Sequence, residues 1–277
     1  MLARPEIAIA CQGIVRRGSA GDVREDFIAQ PGGRGFIVDR AAFDCSLREL
    51  ARQEGVNIEI ARFRSIAAQS GGFELVLTAG DQARRIRTAN IVDASGRAAV
   101  VARRLGGERQ IFSRLTARRR ECDADRGAWL RYEPSDAGWS YSLSGPTGRR
   151  DAWEVAPHQK RPDSESAQIV DASASMLAPA AGDGWIAIGD AAAAFDPISS
   201  QGLAHAAGSA LAVAEIFRQD GCISERMAAE YHALNLVTAL HSEVQRRAVV
   251  GAFDAYLPGF LAMSSRQLED GYDLPNR

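Results

Sequence analysis

Asp190 stands directly behind Gly189, at the end of the short apolar run Trp185 to Ile188. A loop of small residues follows, through Pro197 to Gly202, and an apolar, alanine-rich stretch then runs from about Leu203 to Phe217. The pattern reads as strand, Gly-Asp, loop and helix. A carboxylate at the end of a buried strand offers two acceptor oxygens and suits a polyol. A glycine-rich turn lets a ligand approach the backbone closely. A helix starting just beyond presents free N–H groups and the positive end of its dipole, where anionic or electron-rich groups settle. The constellation suits a cofactor with a polyol, a phosphate and a ring that accumulates negative charge, and reduced flavin has all three. An ordinary strand–turn–helix packing unit is the alternative use of the same residues.

The segment GDAAAAFDPISSQG resembles the second FAD motif of the para-hydroxybenzoate-hydroxylase-like flavoproteins, in its spacing and in the WIAI run before it. The resemblance implies that Gly189 and Asp190 belong to the cofactor site and that Asp190 binds the ribitol hydroxyls. It implies that Pro197 to Gly202 lie near the isoalloxazine and that the helix from Leu203 aims at its pyrimidine edge. IVDASGRAAVVARRLG resembles the middle motif of the same family, with Asp93, Gly96 and Arg97 as its members. Here Asp-Ala-Ser-Gly replaces an adjacent Asp-Gly, as in halogenase-like and geranylgeranyl-reductase-like branches. VDRAAFDCSLRELARQEGV resembles the segment in which an arginine opens a helix beside the cofactor; Arg40 is that arginine, and a surface position in a first turn is the alternative. The resemblance covers residues from about 36 to 106 and 184 to 218, and GWSYSL is similar to a strand of halogenase-like relatives.

The family implies FAD as cofactor, NAD(P)H as candidate electron donor, and monooxygenase chemistry on a small aromatic or protein-borne substrate. The cofactor carries the hard step, so few acid–base groups are demanded. His205, near the start of the motif helix, is the one catalytic candidate. It is read either as a proton relay or as a first-turn residue packing on the ring or facing solvent. Tryptophan halogenases use a strand lysine and a WxWxIP motif. This chain has no WxWxIP, and its only lysine, Lys160, falls in a polar loop, so halogenation is disfavoured. The family also begins with a strand, a GxGxxG turn and a helix that together hold the pyrophosphate. No such turn occurs here: Gly18, Gly21 and Gly32-Gly33 have other spacings. The expectation is a truncated flavoprotein lacking the N-terminal βαβ unit. The alternative is a remnant that binds no flavin and acts as an interaction protein or is inactive.

The elements that must position these residues form an α/β fold with an α+β insert. We expect an incomplete Rossmann-like FAD/NAD(P)-binding domain with a β-meander and an inserted substrate-binding sheet. Residues 1–107 and 184–223 make the FAD-binding domain, 108–183 the inserted sheet, and 224–277 a C-terminal helical region. Ile7 to Ala10 reads as a strand. Asp39 caps a helix that stops at Gly55. Val56 to Ile60 reads as an alternating strand. Phe73–Thr78 and Arg84–Thr88 form a hairpin around Gly80-Asp81. Asn90–Asp93 is a buried strand, and Ala98–Leu105 a short helix closed by Gly106-Gly107. The insert holds three of the four tryptophans, with strands at Ala128–Tyr132, Gly138–Leu143 and Ala152–Val155, and a mobile polar loop at 158–166.

With 277 residues, 46% hydrophobic and 25% charged, the chain has ordinary globular composition. A net charge of −2 gives no footing for nucleic acid as a partner. Arg118-Arg119-Arg120 reads as a solvated loop beside Glu121, Asp123 and Asp125. Four scattered cysteines form no CxxC pair, which fits a reducing cytoplasm; Cys45 reads as a small buried hydrophobe. No apolar run reaches the ~20 residues of a membrane span. The dispersed histidines suggest no metal site, and no residue pattern specifies an oligomer.

Overall fold

Strands come first: β1 (Ala8–Ala10), β2 (Gly13–Gly18), β3 (Gly21–Asp26) and β4 (Phe36–Val38) precede helix α1 (Arg40–Gln53). The meander β5 (Arg62–Gln69), β6 (Gly72–Ala79) and β7 (Gln82–Thr88) leads to β8 (Ile91–Asp93) and β9 (Glu108–Ser113). Next come β10 (Leu115–Cys122), β11 (Trp129–Ser135), β12 (Gly138–Ser144), β13 (Arg150–Pro157) and β14 (Ile169–Asp171). β15 (Ala174–Ala178), β16 (Ala181–Gly182), β17 (Trp185–Ala187) and β18 (Ala193–Ala194) are followed by α2 (Gly202–Asp220) and α3 (Glu225–Val250). The structure is a computed structural model that describes residues 4–18, 21–29, 35–122, 127–135, 138–157 and 168–250.

The chain divides into two compact units, Met1–Glu59 with Leu115–Asp171, and Ile60–Arg114 with Ala172–Arg277. The first is built on a sheet in the order β14-β10-β13-β12-β11-β2-β3. Tyr132, Tyr141 and Trp153 stand in one cross-strand row, and Tyr141 stacks on Trp139 with ring centroids 5.5 Å apart. The period of two therefore gathers Tyr132, Trp139, Tyr141 and Trp153 on one face, while Trp129, three residues from Tyr132, faces the other. Helix α1 opens on the Asp39 carboxylate, which accepts from the Ala42 N–H at 2.9 Å, and ends before Gly55 at φ 85°.

Several expectations change in this unit. Arg118 to Arg120 are strand residues of β10, with no solvated loop: Arg118 and Arg120 grip Glu154 at 2.5 and 3.0 Å, and Arg119 takes Asp151 at 2.7 Å. Arg118 lies directly opposite Glu154 across the antiparallel β10–β13 ladder, and Arg120 and Arg119 reach Glu154 and Asp151 diagonally, two positions along the same face. Residues 1–59 group with this sheet because β2 pairs in parallel with β11. Cys45 is exposed, since α1 buries none of its residues. The 158–166 run lies outside the described residues.

The second unit holds three three-stranded sheets, β5-β6-β7, β16-β17-β8 and β18-β15-β9, with α2 and α3. The hairpin of β6 and β7 appears where the sequence placed it. Val56–Ile60 forms no strand; Val56 and Ile60 are exposed and the ladder begins at Arg62. β8 and β17 are the parallel pair, with Asp93 opposite Ala187. Ile186, Ala187, Leu177 and Ala180 are completely buried around them, and the Tyr231 hydroxyl from α3 donates to the Ala187 carbonyl at 2.8 Å. Ala98–Leu105 is two 3-10 turns, Gly96–Ala98 and Ala102–Leu105, rather than one helix. The break falls at Ala99, which is fully buried with left-handed φ 41°. No helix among the described residues is long and apolar enough to cross a membrane.

Candidate functional site

Both motif strands of the second unit end in a 3-10 turn, and the turns touch: Gly96–Ala98 after β8 packs on Gly189–Ala191 after β17. Gly96 (φ 70°) and Gly189 (φ 55°) supply the left-handed backbone that each turn requires. At Gly189 the glycine is needed for space as well, since a Cβ there would fall 3.3 Å from the Ala206 Cβ of α2. The Ser209 hydroxyl fastens this close approach by accepting from the Gly189 N–H at 3.0 Å and donating to the Ala206 carbonyl at 3.1 Å. Ala191 to Ala194 are 0–1% exposed, so this stretch accepts only small side chains.

The turn after β17 leaves the Asp190 side chain 40% exposed, with Oδ2 at 3.7 Å from Arg97 Nε. Arg97 is held by its remaining nitrogens, which donate to the Ser173 and Phe195 carbonyls. The loop then turns at Pro197–Ser199, capped by Asp196 accepting from the Ile198 N–H at 3.0 Å. Ser200 adopts φ 52°, and α2 begins at Gly202 without a side-chain cap, so its first N–H groups have no helical partner. Open space lies where a Cβ would stand at Gly96 and at Gly202. His205 occupies the first turn of α2, its ring edge-on to Phe195 at 4.9 Å. Burial pushes its pKa below the usual histidine value, against the smaller opposing pull of Asp190 and of the Gly189 backbone. Its Nε2 is buried and has no hydrogen-bond partner among the described residues.

The residues singled out by sequence thus divide. Gly96, Arg97, Gly189, Asp190, Pro197, Gly202, Leu203 and His205 all belong to the second unit, on the two touching turns and the loop and helix that follow. Asp93 belongs there too, but it faces inward, 3% exposed. Its Oδ1 accepts from the Ser95 N–H at 2.9 Å, and its Oδ2 from Val101 and Ala102 at 2.9 and 2.7 Å. Its carboxylate fixes the turn that presents Gly96 and Arg97. Arg40 lies in the first unit, on the first turn of α1, 3.4 Å from Asp44. Two residues at the turns escaped the sequence reading. Ser209 had a visible signal, a hydroxyl within an alanine-rich helix; Arg109, at the start of β9, had none.

As a cradle for the middle of a flavin, the donor set fits. It offers one half-exposed carboxylate, an uncapped helix N-terminus, and two glycines with open space before them. Asp93 is not part of that set, because its oxygens are committed to backbone N–H groups.

No family model matches the chain, and no curated protein matches it. Solved structures do. The flavin-dependent brominase Bmp2 superposes with a TM-score of 0.67 over 95% of this chain and 83% of its own, at 17% identity. A flavoprotein/dehydrogenase from Cytophaga hutchinsonii gives 0.70 over 90% of this chain and 70% of its own, also at 17% identity. The peptidyl tryptophan dihydroxylase QhpG, essential for tryptophylquinone cofactor biogenesis, gives 0.62 at 20% identity; the match covers 84% of this chain and 58% of that protein. The chain has the α/β fold shared by flavin-dependent halogenases and flavoprotein oxidoreductases.

Proposed function

We propose that the chain is the flavin-holding part of an FAD-dependent oxidoreductase, a monooxygenase on an aromatic or protein-borne substrate with NAD(P)H as electron donor. One observation carries the flavin reading: Asp190 stands half-exposed 3.7 Å from the Arg97 guanidinium, on a turn packed against α2, whose N-terminus has no side-chain cap. There its carboxylate can accept from cofactor hydroxyls while Arg97 orients it. The first N–H groups of α2 suit the electron-rich edge of a ring. Flavin, when bound, supplies electron transfer and oxygen activation. His205 stays neutral beside that helix end and can accept a proton at Nε2. A peptidyl tryptophan dihydroxylase among proteins of this fold supports a protein-borne substrate.

Titration of the protein with FAD, followed by flavin fluorescence, tests this. The native chain is expected to bind, and Asp190→Ala to bind at least tenfold more weakly, about 1.4 kcal/mol. Equal binding by both would overturn the assignment of Asp190. Failure of the native chain to take up FAD favours the second reading, an interaction protein. Leu203 and Leu211 of α2 and Val92 of β8 are exposed apolar side chains that such a protein could offer a partner.

A further inference from the structure

The parallel ladder between β8 and β17 ends just before the chemistry. Its last backbone bond is from the Ile188 N–H to the Asp93 carbonyl, at 2.9 Å. Beyond it the chains leave the sheet as separate 3-10 turns, one carrying Arg97 and the other Asp190. The Arg109 side chain bridges their backbones there. Arg109 Nη2 donates to the Arg97 carbonyl at 3.0 Å and to the Ala191 carbonyl at 2.9 Å.

The base of that side chain is firmly set. Arg109 lies in β9, opposite Leu177 of β15, and the preceding Gly107 packs so tightly that a Cβ would fall 2.9 Å from the Leu177 side chain. The placement is costly. Arg109 Nε and Nη1 are shut from water and have no hydrogen-bond partner among the described residues. Burial first, then the nearby charges of Arg97 and Arg103, lower the guanidinium pKa from its ordinary value. A buried cation with unfilled donors is a poor stabiliser, and an apolar residue of similar volume would be the cheaper filling. What a guanidinium adds is a rigid planar donor that can hold two carbonyls at a fixed separation.

We infer that Arg109 is a positioning residue that latches the Arg97 turn to the Asp190 turn and so sets the spacing of the cofactor site. The consequence for flavin rests on the reading given under Proposed function. Through the Arg97 carbonyl it holds the residue that orients Asp190, and through the Ala191 carbonyl it holds the residue next to Asp190. Removing it frees both turns together, while β8, β17 and their ladder stay paired.

Arg109→Gln and Arg109→Lys test this against the native protein. Amide hydrogen exchange of the free protein is read over peptides covering residues 95–99 and 188–192, and FAD is titrated well below the melting temperature of each variant. We expect exchange in both turns to accelerate together in the glutamine variant, tenfold or more, with β9 and β17 unchanged and FAD bound about tenfold more weakly. The lysine Nζ ends one atom short of Nη2 and its N–H groups rotate freely, so that variant should loosen both turns, by less than the glutamine variant. Should the glutamine variant fail to fold, the lysine variant carries both readouts. Unchanged exchange in the turns, acceleration spread evenly over the unit, or loosened turns with unchanged FAD affinity each overturn the latch. If the native protein takes up no FAD, the flavin reading fails while the exchange data still decide whether Arg109 joins the turns.

Discussion

Asp93 and Asp190 end the two motif strands, and from the sequence alone they look like two members of one cofactor site. The structure gives them different work. Asp93 accepts three backbone N–H groups inside the protein, whereas Asp190 has a single guanidinium at 3.7 Å and 40% of its side chain in solvent. Bonds to a buried charged acceptor are worth about 1.5–3 kcal/mol each, and an N–H left unsatisfied costs a similar amount. Asp93→Asn keeps one acceptor oxygen but turns an NH2 group toward backbone donors. Its expected cost is about 3 kcal/mol, a fall in Tm on the order of 5–10 °C, measured by thermal denaturation of the free protein. Asp190→Ala should leave the stability within about 1 kcal/mol of native, since an exposed pair at this distance contributes little. Opposite results, with stability depending on Asp190 and not on Asp93, would reverse the two roles. Residue type and spacing could not separate them, because the difference lies in which side of the turn each carboxylate faces.

The elements legible in the sequence were those with chemical punctuation. Asp39 and Gly55 bracket α1, Gly80-Asp81 turns the β6–β7 hairpin, and Gly221 at φ 69° closes α2. At the misread elements such punctuation did not decide the outcome. Val56–Ile60 alternates as a strand should, but among the described residues no neighbour pairs with it. Ala98–Leu105 has helical composition, yet the Asp93 carboxylate draws the Val101 and Ala102 N–H groups into a different turn. The arginine run looked like a loop until β13 supplied Glu154 and Asp151 opposite it. In each case something outside the segment decided: the lack of a pairing strand among the described residues, a carboxylate eight or nine residues away, and a partner strand. Local propensity still matters where packing is silent, as at Gly208 in the middle of α2, which has open space around it. Gly208→Ala should stabilise the protein by roughly 0.5–1 kcal/mol, by removing backbone freedom from the unfolded chain and adding a better helix former. Urea denaturation checks this; a loss of stability would mean that something in solution packs against that face of α2.

For the whole molecule, the pH dependence follows from where its histidines sit. Among the described residues, His205 and His232 are both partly buried in the second unit, and burial lowers both pKa values below that of an exposed histidine. His232 Nδ1 accepts from the Ala180 N–H at 3.4 Å, a contact that only the unprotonated nitrogen can make. In the unfolded chain both rings take up protons near pH 6.5, while the folded protein resists until lower pH. Between those limits the unfolded state binds more protons, so stability must fall as pH falls and is fully present above pH 6.5. Carboxylates begin to protonate only nearer pH 4.5, which leaves pH 5 to 7 as the window belonging to these rings. Urea unfolding across that window should show declining stability in the native protein and a flatter profile in a His205→Phe, His232→Gln double variant, where the glutamine keeps an acceptor for Ala180. If the units unfold in separate transitions, only that of the second unit should move. A native profile flat from pH 7 to 5 would mean that these rings protonate as freely in the folded protein as in water, and His205 would then lose its standing as a neutral proton acceptor at the head of α2.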